Sequence, residues 1–177
     1  MKLPAAEALV GRRILIVGDV NTGKTHATLE LARALFSTGW RDMVVLDFAP
    51  ETTRGIGGKM SLDGFENVQY LTAQIIPPRL TGKTREEVEE YARINAQRIE
   101  VILEAGLDRP REVAVINDVS LYLQGAEVET LLGWLDYART VVINGYYGKS
   151  FDETEFSMRE RARMEALMKC CDEIIRL

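Results

Sequence analysis

The chain has 177 residues, 46% of them apolar and 28% charged, the balance of a globular protein; one α/β domain over residues 1–177 fits that length better than two. A net charge of −5 argues against a general nucleic-acid or membrane-surface binder. The opening MKLPAAEALVGRR lacks the apolar centre of a signal peptide, no apolar run approaches a membrane span of roughly 20 residues, and the adjacent Cys170 and Cys171 are poorly placed for a relaxed disulfide, so a reduced, cytoplasmic protein is expected.

In chain order, residues after Pro4 suit a single helical turn. Arg13 to Val17 (RILIV) is a short apolar run before a glycine loop and predicts a buried strand. The loop ends at Gly23, and a helix is predicted from Lys24 or Thr25 to about Ser37, with Gly39 as its stop. Met43 to Phe48 (MVVLDF) predicts a second strand, and the polar, glycine-rich residues 49–64 predict a loop. A third strand lies within Val68 to Ile76, closed by Pro77 and Pro78. Thr84 with Glu87 fits a capping box, and Val88, Tyr91, Ala92, Ile99, Ile102 and Leu103 continue at helical spacing. Val113 to Ile116 predicts a strand leading into Asn117-Asp118, and Val128, Leu131, Leu132 and Leu135 mark another helical face. Thr140 to Ile143 predicts a strand ending at Asn144. Asp152 and Glu155 can cap a last helix reaching about Cys171, and Glu173 to Leu177 closes the chain as a strand. Apolar strands alternating with helices imply a mainly parallel sheet flanked by helices on both faces, with ligands at the carboxyl ends of the strands.

Gly18-Asp19-Val20-Asn21-Thr22-Gly23-Lys24-Thr25 satisfies G-x-x-x-x-G-K-[ST] in full, between a predicted strand and a predicted helix. Glycines let the backbone wrap a phosphate closely, successive N–H groups form an anion nest, and the helix adds its positive end. In that chemistry Lys24 reaches the β- and γ-phosphates and Thr25 holds Mg²⁺ through its hydroxyl. A second string, Thr81-Gly82-Lys83-Thr84, has no glycine at the right distance upstream and reads as a loop and helix cap.

The segment resembles the Walker A motif of the P-loop NTPase superfamily. The resemblance implies a three-layer α/β P-loop fold, a nucleotide with Mg²⁺, and hydrolysis or phosphoryl transfer. It also implies an Asp at the end of a second apolar strand, and Asp47 and Asp118 both qualify. The long stretch between Lys24 and Asp118 leaves room for intervening strands, similar to the branch in which another strand separates the two motifs in the sheet. Asp118 is therefore preferred as the metal carboxylate, with Asp47 as the alternative, and Asn144 falls where that branch places a γ-phosphate sensor. Many ATPases of the branch carry Glu directly after that Asp, to orient the attacking water; counted from Asp118, the position is Val119. Slow hydrolysis without a partner is the consequence. Glu51, Glu127 and Glu129 are candidate substitutes.

Residues outside the motif divide between ligand contact and ordinary packing. His26 follows Thr25 and either touches the nucleotide or lies on the helix surface. Arg54-Gly55-Ile56-Gly57-Gly58-Lys59 either closes over an acceptor or is a surface loop. Tyr146 and Tyr147 either wall a substrate or pack on the sheet edge. One of Arg159, Arg161 and Arg163 could stabilise a transferred phosphate, against a solvated helical face. Asn95 is expected inside, hydrogen-bonded. The sequence thus predicts an ATP- and Mg²⁺-binding protein with ATPase or phosphotransferase activity, acting with an unknown acceptor or protein partner and able to form a homo-oligomer. ATP is favoured because no Asn-Lys-x-Asp guanine motif occurs. Two alternatives accompany it. One is an ATP-using transferase with a loose resemblance to corrinoid adenosyltransferases, whose loop differs from this one. The other is a nucleotide-dependent switch or assembly subunit.

Overall fold

The computed structural model describes residues 3–52, 55–56 and 58–177. The elements are α1 (Ala6–Leu9), β1 (Arg13–Gly18), α2 (Lys24–Ser37), β2 (Met43–Asp47), β3 (Gln69–Thr72), α3 (Pro78–Thr81), α4 (Arg85–Gly106), β4 (Arg111–Asn117), α5 (Ser120–Leu123), α6 (Val128–Leu135), β5 (Ala138–Tyr146), α7 (Glu155–Lys169) and β6 (Glu173–Arg176). The strands form one six-stranded sheet in the order β3-β2-β4-β5-β1-β6, and every pairing is parallel.

The alternation of side chains along each strand divides the core in two. Ile14, Ile16, Val45, Val113 and Val142 face α1 and α2. Leu15, Val17, Val44, Ala114 and Ile143 face the opposite layer, with residues of α4 to α7. Burial on both faces is why these strands read as continuous apolar runs. The layer assignment follows the direction of travel across the sheet. From β1 through β2 to β3 the chain moves toward one edge, and α2 lies on one face. From β3 back through β4 and β5 to β6 it moves the other way, and its helices lie on the opposite face, as right-handed crossovers require.

The segment after β2 is a crossover without a helix. Met60 is buried against the α2 layer, with Leu62 and Phe65 packed beside it. The Lys59 ammonium donates to Ala49 O at 2.6 Å and Ala73 O at 3.0 Å, and it also meets Thr72 Oγ1. Residues 58–65 are therefore anchored on the sheet. Arg54 and Gly57, singled out in the sequence, lie outside the described residues.

Several boundaries differ from the sequence reading, each for a local reason. β5 runs on to Tyr146, because its pairing with β1 continues through Asn144, Gly145 and Tyr146; Asn144 thus lies within the strand. The cap of α7 is Thr154, whose side chain accepts the Ser157 N–H, and not Asp152. The short helices α3 and α5 carry too few turns to show periodicity, and α3 opens with Pro78 in its first turn. The cap at Thr84 is present, accepting from Glu87 N, and such a cap contributes about 1 kcal/mol. Asn95 is buried and bonds both ways with Ile76 through its carboxamide. Cys170 is exposed and Cys171 half-buried, both as thiols. Among the described residues no helix is long and apolar enough to cross a membrane.

Candidate functional site

The carboxyl ends of β1, β4 and β5 lie side by side, because β5 separates β1 from β4. A cavity of about 380 Å³ opens at that edge of the sheet. Val20 to Thr25 form one wall, and Asn117, Asp118 and Asn144 lie under it. The sequence-predicted Gly18, Asp19 and His26 are not among its lining residues; His26 is exposed on α2.

The loop shape follows from its residues. A Cβ at Gly18 would stand 2.6 Å from Thr22 Oγ1 and 2.7 Å from Leu177 O, so only glycine lets the strand turn there. Gly23 has φ +89, a left-handed conformation, and starts α2 at Lys24. Asn21 is left-handed as well, at φ 56, which Asn tolerates. Thr22 donates to Asp19 O at 3.0 Å. Asp19 is an anchor: its carboxylate accepts from Val20 N at 2.7 Å and Lys149 N at 2.9 Å, and Ser150 also bonds it. Those bonds hold its carboxyl below the usual range, led by Ser150. The phosphate-loop string is thereby tied to the chain after β5.

The N–H groups of the first turn of α2 have no acceptor within the helix. Lys24 folds across the loop, and its ammonium donates to Asp19 O. Burial lowers the Lys24 pKa, opposed by the charges of Asp118 and Asp19. The Thr25 hydroxyl donates to Asn117 Oδ1 at 3.2 Å. Asn117 is therefore the β4 side chain that meets the loop, and the sequence reading assigned it no role.

A buried network fixes this contact. Asn117 Nδ2 donates to Asp47 Oδ1 at 2.8 Å, and Asn144 Nδ2 donates to Asn117 Oδ1 at 3.0 Å and to Thr28 Oγ1 at 2.9 Å. Asn144 Oδ1 accepts the Asp118 N–H at 3.0 Å. Both amide hydrogens of Asn144 are used inside the protein, so in this arrangement it positions Asn117 and Asp118 and has no donor left for a phosphate. Asp47 is fully buried, and besides Asn117 its carboxylate takes Ala49 N at 3.1 Å, Met60 N at 2.6 Å and Tyr70 Oη at 2.9 Å. It lies behind the cavity wall, holding the crossover after β2 to the end of the sheet.

Asp118 sits one residue past the contact with Thr25. Its φ is +57, a conformation that costs roughly 1–2 kcal/mol for a residue with a Cβ. The turn sends Val119 into the core, where it is fully buried, and leaves Asp118 on the cavity. Ser120 Oγ donates to the Asp118 carboxylate. Burial raises the Asp118 pKa, opposed by Ser120, Lys24 and Arg79. Measured from Asn117, Asp118 fills the position after the strand end.

Among the described residues the arginine that lines this cavity is Arg79, from α3. Its guanidinium pairs with Glu160 of α7 and lies over the Phe151 ring at 4.7 Å and the Tyr146 and Phe156 rings at 5.5 Å. Glu160 is 2% exposed, and burial raises its pKa to about 7, against the pull of Arg79. Arg159 pairs with Glu89, Arg161 donates to Gly148 O at 2.6 Å, and Arg163 pairs with Glu127; none of the three lines the cavity. Tyr146 lines it, while Tyr147 bonds Glu165 on the outside. A Pro-Pro-Arg string gave no sequence signal for Arg79, since its partners come from α7.

No family model matches the chain. No curated protein matches it either. Among solved structures it is similar to the Hef helicase domain of Pyrococcus furiosus, with a TM-score of 0.43 and 14% identity over 94% of this chain and 35% of that one. The chain thus spans about a third of the length of that solved chain.

Proposed function

We propose that this chain binds ATP with Mg²⁺ and transfers or hydrolyses the terminal phosphoryl group, slowly in the absence of a second substrate. The observation that carries the reading is the meeting of Lys24, Thr25 and Asp118 at one cavity, with the Thr25 hydroxyl held by Asn117. The backbone of residues 20–25 and the start of α2 take the phosphates, and Lys24 exchanges its bond to Asp19 O for phosphate oxygens. The residues fit a Mg²⁺ ion carried in with the nucleotide. Such an ion needs one or two protein oxygens beside phosphate and water, and Thr25 Oγ1 supplies one, with Asp118 the nearest carboxylate on the cavity wall. Bound there, the ion neutralises charge on the transferred phosphate.

Asp118, the carboxylate on the cavity wall, is the group placed to receive a proton from the attacking hydroxyl. Asn117 and Asn144 position it. Ala49, Pro50, Pro78, Leu80 and Leu121 also line the cavity, and apolar lining of this kind disfavours attack by water. That wall favours transfer over hydrolysis.

The test is γ-labelled ATP, with phosphate release measured on protein alone and then with a panel of small-molecule acceptors. Release of about one turnover per minute or less, a barrier of about 20 kcal/mol, with label moving to an acceptor, supports the reading. Release of many turnovers per second without an acceptor contradicts it.

A further inference from the structure

Among the described residues that line the cavity the cations are Lys24, in the loop, and Arg79, from α3. Lys24 has a task in the phosphate chemistry and Arg79 has none so far. Its simplest use is to neutralise Glu160, but the two partners are placed differently. Glu160 is 2% exposed, does not line the cavity, and is bonded by Gln124 as well as by Arg79. The Arg79 side chain is 14% exposed and lines the cavity together with Asp118 and residues 20–25. A buried ion pair contributes little net stability, because both charges must leave water. Here the enclosed carboxylate is the anchor, and the guanidinium is the group presented.

The way Arg79 is held leaves donors over. Its guanidinium lies over the Phe151 ring at 4.7 Å and the Tyr146 and Phe156 rings at 5.5 Å. Aromatic faces hold a cation without taking its N–H groups. The pair with Glu160 runs through Nη2. A guanidinium carries five N–H donors, in a fork that matches phosphate oxygens. Charge points the same way. The Arg79 charge is felt at Asp118, so it acts on the wall where the metal carboxylate stands. A Mg²⁺-bound triphosphate is still anionic, and Asp118 adds to that charge. Lys24 alone does not offset both.

We propose that Arg79 binds the terminal phosphate of the nucleotide and makes the site select a nucleoside triphosphate over a diphosphate. The proposal rests on the reading of residues 18–25 as a phosphate loop. The loop backbone and Lys24 serve both nucleotides, because both carry a β-phosphate. Arg79 meets only the γ-phosphate. Glu160, fixed by Gln124, keeps its hold on Nη2 while other N–H groups of the guanidinium take phosphate oxygens.

Calorimetry with Mg²⁺ compares ADP with the non-hydrolysable triphosphate AMP-PNP on the parent and its variants. The parent should bind AMP-PNP about tenfold more tightly than ADP or better, the size of a charge-assisted contact. Arg79→Ala should lose that preference, with ADP affinity within about twofold of the parent. This variant strands the buried Glu160 and can unfold the chain. Arg79→Gln combined with Glu160→Gln replaces the ion pair by two neutral amides and should lose the preference equally. Glu160→Gln alone keeps the guanidinium and an oxygen beside it, and should keep the preference within about threefold. An undiminished preference in the double variant, or ADP and AMP-PNP weakened alike, would overturn the proposal. So would Glu160→Gln losing the preference as fully as the double variant, since the ion pair and not Arg79 would then be responsible. A parent that binds ADP and AMP-PNP equally well overturns the role of Arg79 and leaves the loop reading standing. A parent that binds neither overturns the loop reading and the proposal with it.

Discussion

The Thr25 hydroxyl reaches Asn117 Oδ1 across 3.2 Å, joining the start of α2 to the end of β4 through a neutral pair. The first carboxylate after that strand end is Asp118, one residue later. Asn117→Ala removes the acceptor that aims the Thr25 hydroxyl. It should raise the Mg²⁺ concentration for half-maximal activity about tenfold, while metal-free nucleotide affinity changes little. A magnesium titration of turnover, paired with metal-free calorimetry, checks it.

Asp47 behaves differently because its four hydrogen bonds are all internal. Asp47→Asn turns one acceptor oxygen into a donor that faces other donors. The expected outcome is a stability loss of about 1–3 kcal/mol in urea unfolding. The Mg²⁺ requirement of the folded protein should stay near that of the parent. A metal defect without a stability defect would return Asp47 to the role of metal carboxylate.

Asp118→Asn keeps the shape and the left-handed turn but loses the proton acceptor. Transfer should fall by about 10²-fold or more, with ATP affinity within a few-fold of the parent. Single-turnover transfer and calorimetry separate the two effects.

Glu160 gives a pH signature. Its pKa is about 7 in the folded chain, above the ordinary carboxyl value of 4.5. The folded state therefore holds a proton that the unfolded state has released. The contribution of this group is fully present below the unfolded value and is lost as pH rises through about 7. Urea midpoints of the parent should fall from pH 5 to pH 8 relative to those of Glu160→Gln, which cannot ionise. Parallel midpoints across that range would contradict the assignment.

The sequence carried the fold well where a signal is local. The strands are short apolar runs because both faces are buried, and the loop from Gly18 to Thr25 is legible because each residue type answers a backbone or phosphate requirement. That another strand separates β1 from β4 was expected only through the resemblance to one branch of a superfamily, and β5 takes that place. The β4 residue that meets Thr25 was not legible. The apolar run before Asn117-Asp118 ends without saying which residue turns toward Thr25, and the left-handed turn at Asp118 decides it. Arg79 was invisible for another reason: its role depends on Glu160, 81 residues away, and on rings from the chain after β5.

The central claim is that Lys24 meets nucleotide phosphate, and calorimetry of ATP binding with Mg²⁺ on the parent and on Lys24→Ala tests it most directly. Removing the ammonium should weaken binding by about tenfold or more, the size of a charge-assisted contact. The fold, read by urea unfolding, should persist, since the ammonium contacts only the loop backbone at Asp19. Equal ATP affinity in the two proteins, or no ATP binding by the parent, would contradict the account.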